Sequence, residues 1–173
     1  EVPLKQLLAD CRYQTVALKG MVESYGGQLR HVKPHGALYN DMAKNKELSL
    51  AIIQLIKDID PLLKIMGLAH SATIDACHQL GMTPISEGFA DRRYAARDQL
   101  RSRHNEDAVL HVRADIEHQV KYFLQGKTIL ANGEAVAIQV QSLCVHSDTP
   151  GAVALSRHIH QFLTQHGIRI QAV

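Results

Sequence analysis

Three ionisable side chains, His31, Lys33 and His35, alternate along one short stretch of the sequence. In an extended strand, alternate residues point to the same face, so these side chains would share one face. Pro34 removes a main-chain donor and Gly36 allows a sharp turn, which predicts that the strand ends here. Strand ends commonly carry the acid–base and binding groups of α/β proteins. The alternative interpretation is a surface loop with solvated lysine and histidine.

Polar and charged residues also follow three other predicted strands. They are His70, Glu87, Asp91, Arg92, His146 and Asp148. Any one of them alone is more simply interpreted as structural. However, isolated charges that face a core cost several kcal/mol unless they are paired or used, and here four strands end in such residues. The pattern therefore predicts a site for a small polar molecule at the carboxyl ends of the strands.

A helix is predicted to begin in the stretch Asp148-Thr149-Pro150-Gly151. Asp148 is a suitable N-cap, and Pro150 is tolerated in the first turn. The exposed N–H groups and the positive dipole at such a start suit a carboxylate or a phosphate. The alternative is an ordinary capped helix without a ligand.

The sequence lacks the common motifs for nucleotide binding and for a serine nucleophile. It contains no G-x-x-x-x-G-K-[ST] loop, no G-x-G-x-x-G turn and no G-x-S-x-G elbow. Four candidates are of metal-ligating types, namely His35, Asp91, His146 and Asp148. The pair His158-x-His160 lies on a predicted helix, where residues two apart face different ways. We therefore predict no metal site.

Hydrophobic periodicity predicts the elements that position these residues. Predicted strands cover residues 29–39, 62–68, 83–89 and 137–145. Predicted helices cover residues 4–25, 45–60, 71–81, 115–126 and 148–166. Residues 92–113 show no clean period and are predicted to form an extended connection that could fold over a site. Asn132-Gly133 predicts a hairpin turn, and residues 168–173 a short final strand.

The resulting order, one helix followed by four strand–helix units, is typical of an α/β fold with a parallel sheet. Four strands are too few to close a (β/α) barrel, which takes about eight. The chain is therefore either a small open sheet or the later part of an incomplete barrel, and the helix at its start favours the barrel. With 173 residues, it is expected to form one α/β domain, residues 1–173.

The composition predicts a soluble protein. Hydrophobic residues make up 46% of the chain, and the formal net charge is +2, with charges of both signs mixed along the sequence. Neither a nucleic-acid nor a membrane partner is indicated, and no apolar run is long enough to span a bilayer. Cys11, Cys77 and Cys144 are odd in number and far apart, which argues against a disulfide framework and predicts a cytoplasmic location.

Three segments resemble the LamB/YcsF family: KPHGALYN at residues 33–40, EGFADRRY at residues 87–94 and SLCVHSDTPGA at residues 142–152. They occur in the family's order, and the similarity extends over essentially the entire chain. The resemblance implies a distorted seven-stranded (β/α) barrel of the glycoside hydrolase/deacetylase type. Family members typically open with D-x-N-x-D-x-G-E and G-F-H-A-G-D segments, and this sequence contains neither. We therefore expect an incomplete barrel with its C-terminal four βα units, which argues against activity of this chain alone.

The resemblance also implies a function in 5-oxoprolinase, the ATP-dependent opening of 5-oxo-L-proline to L-glutamate, with two partner subunits, B and C. A five-membered lactam is an unstrained amide, so its hydrolysis needs a better leaving group, which phosphorylation of the amide oxygen would supply. Because the sequence has no phosphate-binding loop, ATP is expected to be handled through the complex. A homodimer is also expected, because an incomplete barrel leaves a strand edge unpaired.

Under this interpretation, the candidate catalytic residues are Lys33, His35, Asp91, His146 and Asp148. Asp91 or Asp148 would act as the general base for water. Lys33 would stabilise the oxyanion, and His35 or His146 would protonate the departing nitrogen. The predicted substrate-binding residues are Glu87, Arg92, Thr149 and Gly151. Among them, Arg92 and the helix start would hold the substrate carboxylate.

Two other functions fit the same residues. A metal-dependent deacetylase or amidohydrolase would use the same barrel mouth and would require a stoichiometric metal ion. A non-catalytic binding or regulatory subunit would fit a chain without the opening strands.

Overall fold

The computed structural model describes residues 2–146 and 151–172, which contain six helices and eight strands. The chain divides into two compact units, residues 1–85 (unit 1) and residues 86–173 (unit 2). The chain combines helices with parallel strand pairs, which confirms the predicted α/β class. One domain over residues 1–173 stays a prediction. In the part of the chain that the structure describes, no helix is both long and apolar enough to cross a membrane.

Unit 1 surrounds a two-stranded parallel pair with helices. Its helices are α1 (Leu4–Ser24), α2 (Gly36–Lys44), α3 (Lys46–Ile59) and α4 (Ala72–Leu80), and its strands are β1 (His31–Val32) and β2 (Lys64–Leu68). His31 lies opposite Lys64 and Val32 opposite Ile65. The buried core of this unit consists of Met42, Ile52, Ile53, Ile56, Leu63, Ile65, Ala76, Cys77 and Met82.

Asn45 joins α2 to α3 and belongs to the ends of both helices. It is the C-cap of α2 and the N-cap of α3, where its side-chain oxygen accepts a hydrogen bond from the Leu48 N–H at 3.0 Å. This contact confirms the cap predicted from the sequence and satisfies a donor that the helix start leaves without an intrahelical partner. From this start, α3 presents Ile52, Ile53 and Ile56 to the core.

The strand predicted for residues 29–39 is much shorter in the structure. Only His31–Val32 form a strand, and α2 already begins at Gly36, so the prediction for the second half of this stretch was wrong. Pro34 explains the early end, because it has no N–H to continue the ladder and it restrains the backbone of Lys33. The three residues before α2 therefore form a loop.

Unit 2 contains the remaining elements. They are β3 (Pro84–Phe89), β4 (Tyr94–Ala96), β5 (Gln99–Leu100), α5 (Arg113–Leu124), β6 (Lys127–Ile129), β7 (Ala135–Ala137), β8 (Ser142–Cys144) and α6 (Ala152–Gln165). The boundary between the units falls within β3. β3 and β8 are parallel, with Glu87 opposite Ser142 and Phe89 opposite Cys144. A second buried cluster consists of Ala90, Leu110, Ile116, Val120, Leu155 and Ile159.

The strand predicted for residues 137–145 is interrupted in the structure. β7 ends at Ala137 and pairs with β6 in an antiparallel hairpin, as Asn132-Gly133 predicted, whereas β8 pairs with β3 in parallel. The interruption follows from these two partners: Ile138 N–H donates to Gly126 O at 2.9 Å, but Gln141 N–H donates to Ser86 O at 2.7 Å. One straight strand could not form hydrogen bonds with both of these partners.

Two smaller differences concern segments predicted as extended. Residues 92–113 contain the antiparallel β4–β5 hairpin and do not form a purely irregular connection. Residues 168–172 are not in a strand. α5 and α6 lie where periodicity predicted helices, although the structure begins α6 at Ala152. The predicted cap of that helix, Asp148, lies outside the described residues.

The close approach of β3 to its neighbours predicts a strong effect of a single methyl group. A Cβ added at Gly88 would lie 2.6 Å from Val140 Cγ1 and 3.3 Å from Phe123 Cε2. We expect Gly88→Ala to lower the free energy of unfolding by about 1–3 kcal/mol in urea denaturation, because this site has no space for it. Gly20→Ala is the matched control: nothing lies within 4 Å of its added Cβ, so it should stabilise α1 by about 0.5–1 kcal/mol. Equal midpoints for the two variants would contradict the packing.

Cys77 predicts a specific loss of stability at high pH. Its side chain is fully buried in the core of unit 1, and burial raises the pKa of the thiol from 9.0 to about 12. The unfolded chain therefore ionises first, and the stabilisation present below pH 9 is lost as the pH rises toward 12. At pH 10 we expect this thiol alone to lower the free energy of unfolding by about 1 kcal/mol relative to pH 7. The difference in pH slope between the wild type and Cys77→Ala measures this contribution, and identical slopes would contradict it.

Candidate active site

Asp91 and His146 form a hydrogen-bonded pair beyond the carboxyl ends of β3 and β8. Because Phe89 and Cys144 are register partners, the residues two positions after them emerge side by side. His146 Nδ1 lies 2.9 Å from Asp91 Oδ2 and 3.1 Å from Asp91 Oδ1. The main-chain N–H of His146 also donates to Oδ2 at 3.4 Å. The structure thus brings together two of the predicted catalytic residues.

This pair combines a buried carboxyl group with a partly exposed imidazole. The side chain of Asp91 is 1% exposed and that of His146 is 23% exposed. The imidazole ring also stacks on Phe89, with ring centroids 5.6 Å apart. A carboxylate only accepts hydrogen bonds, so Asp91 selects the tautomer with its proton on Nδ1 and leaves Nε2 as the basic nitrogen. His146 is therefore suited to proton transfer at Nε2.

Gln119 of α5 binds the main chain on both sides of Asp91. Its side-chain Nε2 donates to the carbonyl oxygens of Phe89 at 2.6 Å and Arg92 at 2.7 Å. A third, longer contact of 3.2 Å joins Nε2 to Ala90 O. Gln119 is buried, so these hydrogen bonds are shielded from water.

Tyr94 supports the same strand end from another direction. Its phenol oxygen accepts a hydrogen bond from the Phe89 N–H at 3.0 Å, and its ring packs edge-on against Phe123 with centroids 6.0 Å apart. Burial raises the pKa of the Tyr94 phenol above its ordinary value, and the hydrogen bond from Phe89 partly offsets this effect. The phenol is therefore a structural acceptor at neutral pH.

The side chain of Arg92, a predicted substrate ligand, is engaged by main-chain carbonyls of its own unit. Nε donates to Ala108 O at 3.3 Å and Nη2 donates to Arg101 O at 2.6 Å. Burial lowers the pKa of the guanidinium, the charge of Arg103 lowers it further, and Asp91 raises it. These contacts give Arg92 a structural task in the loop after β3, and its contact with a substrate stays a prediction.

Glu87 is the predicted binding residue that lies on β3. It is only 2% exposed and lies opposite Ser142 of β8. Ile85, Phe89 and Asp91, which are predicted to lie on the same side of this strand, are all buried as well. Glu87 on β3 and Asp91, two residues beyond the end of β3, are therefore both inside the protein.

Lys33 and His35 belong to unit 1 and lie in the loop before α2. Lys33 is partly buried, and its Nζ lies 5.6 Å from the centroid of the Tyr39 ring, a cation–π geometry. His35 is exposed at the N-cap position of α2, and its side chain makes no capping hydrogen bond. The Tyr39 ring therefore helps to hold the Lys33 side chain in place.

The start of α6 is only partly described. Gly151 is its N-cap residue and has a φ of +79°, in the left-handed region that favours glycine. Asp148 and Thr149 lie outside the described residues, so their roles stay predictions. Within residues 2–146 and 151–172, no three His, Cys, Asp or Glu side chains are grouped closely enough to hold a metal ion.

Comparison with known proteins decides the family. The sequence model of the LamB/YcsF family matches residues 1–173. The chain belongs to the LamB/YcsF family.

Relatives of this LamB/YcsF chain carry a common name. One, from Agrobacterium fabrum, is named as an A subunit of 5-oxoprolinase and is 42% identical over 169 residues, which cover 97% of this chain and 66% of the relative. The 5-oxoprolinase A subunit of Bordetella parapertussis is also 42% identical, over 92% of this chain and 64% of its own length. This chain therefore spans 64–66% of the length of these two relatives.

A solved structure supports the fold. The lactam utilization protein from Thermus thermophilus superimposes with a TM-score of 0.89 and 28% sequence identity. The match covers 99% of this LamB/YcsF chain and 69% of the other chain.

Sequence reasoning missed two residues that support the LamB/YcsF site, Gln119 and Tyr94. Gln119 interrupts the buried face that α5 forms with Ile116, Val120 and Phe123. A polar residue at the spacing of a buried helix face is a usable signal, because it must find a partner inside. The position of Tyr94, next to two arginines in a charged segment, offered no comparable signal.

The hydrogen bond at Tyr94 predicts a measurable loss of stability. Tyr94→Phe removes the phenol that accepts from the buried Phe89 N–H, so the free energy of unfolding should fall by about 0.5–1.5 kcal/mol, the usual contribution of one hydrogen bond. Tyr13→Phe is the control, because Tyr13 is 76% exposed and its change should stay below about 0.5 kcal/mol. Urea denaturation of both variants measures the difference. If Tyr94→Phe behaved like the control, the acceptor role would be wrong.

Proposed function

We propose that this chain acts in an ATP-dependent 5-oxoprolinase that opens 5-oxo-L-proline to L-glutamate, as the portion of the A subunit that it matches in its relatives. The observation that carries the proposal is the contact between the buried Asp91 carboxyl group and His146 Nδ1, at 2.9 Å, in a chain 42% identical to proteins of that name. An oriented histidine provides the proton transfers that opening of an amide ring requires.

The proposed chemistry begins with neutral His146 protonated on Nδ1. Water attacks the ring carbonyl carbon after the amide oxygen has been phosphorylated, and Nε2 of His146 takes the proton that this water loses. The carbon–nitrogen bond then breaks: the departing nitrogen receives the same proton from Nε2, the hydroxyl proton is released as the carbonyl re-forms, and the phosphoryl group stays on the product as an acyl phosphate. A second water hydrolyses this acyl phosphate to L-glutamate and inorganic phosphate. Asp91 stabilises the intervening imidazolium, so it acts as a positioning and electrostatic residue. This division of roles replaces the expectation that Asp91 itself is the general base.

ATP enters this scheme as a co-substrate that is handled through the complex. Arg92, the buried arginine beside the pair, has Nε and Nη2 bound to main-chain carbonyls. The sequence contains no phosphate-binding loop. We therefore propose that partner subunits, B and C, contribute to phosphorylation of the lactam.

The remaining site residues keep their proposed roles. Lys33, whose ammonium group lies 5.6 Å from the centroid of the Tyr39 ring, is proposed to stabilise the developing oxyanion. Glu87 and Gly151 are proposed to bind the substrate. We also propose that His35, Asp148 and Thr149 belong to this site. Asp148 and Thr149 lie outside the described residues.

The family resemblance is also the basis for proposals about the barrel type, the location and the self-association of the chain. The fold is proposed to be part of a seven-stranded (β/α) barrel of the glycoside hydrolase/deacetylase type. A cytoplasmic location and association of the chain with itself as a homodimer are proposed as well.

The proposed function predicts that substitutions in the Asp91–His146 pair strongly lower kcat. In a mixture of this chain with subunits B and C, we expect 5-oxo-L-proline and ATP to yield L-glutamate. Asp91→Asn and His146→Gln should each lower kcat by about 10²–10⁴-fold, because the first removes the charge that orients and stabilises the imidazole and the second removes the group that transfers the proton. Coupled enzymatic detection of L-glutamate measures the rates.

His78→Gln is the control for these variants. His78 is exposed on α4, so its substitution should leave the rate unchanged. Glutamate formation at the wild-type rate by both variants of the pair would contradict their proposed roles. If the wild-type mixture produced no glutamate, the proposed reaction itself would be wrong.

A further inference from the structure

We infer that Gln119 is a positioning residue for the Asp91–His146 pair, which it serves by fixing the main chain that carries Asp91. The catalytic part of this inference rests on the proposed function. The geometric part, the placement of Asp91 against His146, does not depend on the reaction.

The orientation of the Gln119 amide follows from its partners. All three atoms that face Nε2, the carbonyl oxygens of Phe89, Ala90 and Arg92, are acceptors. The side-chain nitrogen must therefore face them, because an amide oxygen in its place would have nothing to accept. Gln119 is 7% exposed, so water cannot easily replace it as the donor.

The two shortest of these hydrogen bonds enclose Asp91. Phe89 and Arg92 are three residues apart, and one side-chain nitrogen joins their carbonyls at 2.6 and 2.7 Å. Asp91 lies between them, so the path of its backbone is restrained on both sides. Gln119 thereby restrains the turn that follows β3.

Main-chain hydrogen bonds complete the restraint. Leu110 N–H donates to Asp91 O at 2.8 Å, and Ala90 N–H donates to Cys144 O at 3.2 Å. These two bonds hold the turn from the following loop and from β8, whereas Gln119 holds it from α5. The contribution of Gln119 is therefore distinct from that of the sheet.

Small displacements of this turn would change the distances between the Asp91 carboxyl group and His146 Nδ1. The Asp91 carboxyl group reaches His146 Nδ1 with both oxygens, at 2.9 and 3.1 Å. A short side chain has few torsions with which to compensate for a backbone shift, and functional groups must be held within about 0.5 Å of the productive geometry. Loss of the Gln119 donors should therefore weaken the selection of the Nδ1–H tautomer.

The experiment compares Gln119→Met, which keeps the length of the side chain but removes its donors, with Thr128→Val. Thr128 is fully buried in the same unit, and its hydroxyl has no hydrogen-bond partner among the described residues, so this control also replaces a buried polar group by an apolar one. Nitrogen NMR of the full chain, at a pH where the ring is neutral, identifies the tautomer of His146. The signal is assigned by its loss in His146→Gln.

We expect the wild type and Thr128→Val to show predominantly the Nδ1–H tautomer, and Gln119→Met to show a mixture with Nε2–H. In the assay with subunits B and C, Gln119→Met should lower kcat by about 10–100-fold, the usual effect of losing an outer partner, with KM changed much less. If Gln119→Met does not fold, Gln119→Asn takes its place. Its side chain is one methylene shorter, so its amide donors lie farther from the carbonyls, and the tautomer and kcat are measured in the same way.

A folded Gln119 variant that retains the tautomer and kcat of the wild type, and loses only thermal stability, would overturn the inference. An altered tautomer together with an inactive wild-type mixture would support the positioning role and reject the proposed reaction. The two proposals therefore fail on different measurements.

Discussion

The contact between a carboxyl group with 1% exposure and an imidazole is the interaction on which the arrangement of unit 2 depends. A carboxylate removed from water is strongly destabilising unless donors replace its hydration. The ring nitrogen and the main-chain N–H of His146 both face Asp91 and supply part of that replacement. Because hydrogen bonds tolerate little displacement, both strand ends must be held in a constant relation. The parallel register of β3 and β8 brings Asp91 and His146 close together. The side chains that bind the main chain around Asp91 then refine the position of its carboxyl group.

The supporting residues share one task. Tyr94 binds the N–H of Phe89, and Arg92 ties the following loop through its guanidinium. Each places a polar side chain in the interior, where an unsatisfied group is costly and a satisfied one is rigid. All of them belong to unit 2, which therefore contains the Asp91–His146 pair together with the residues that support it.

The sequence allowed prediction of the pair but not of its support. Asp91 and His146 could be found because each follows a strand-like apolar segment, and parallel neighbouring strands bring their carboxyl ends together. The partners of Gln119 lie 27 to 30 residues away in the chain, and no local pattern specifies which carbonyls a buried amide will meet. The break between β7 and β8 was missed for a similar reason, since alternation along a strand does not reveal that successive segments pair with different neighbours.

The joint between α2 and α3 has a consequence for how this protein can change in length during evolution. With Asn45 ending one helix and starting the next, no spare residue separates them. An inserted residue would change the direction in which α3 leaves α2 and would carry Ile52 and Ile56 away from the core. The exposed turn at Asn132-Gly133 imposes no such coupling. Insertions and deletions should therefore be tolerated better in that hairpin than at Asn45.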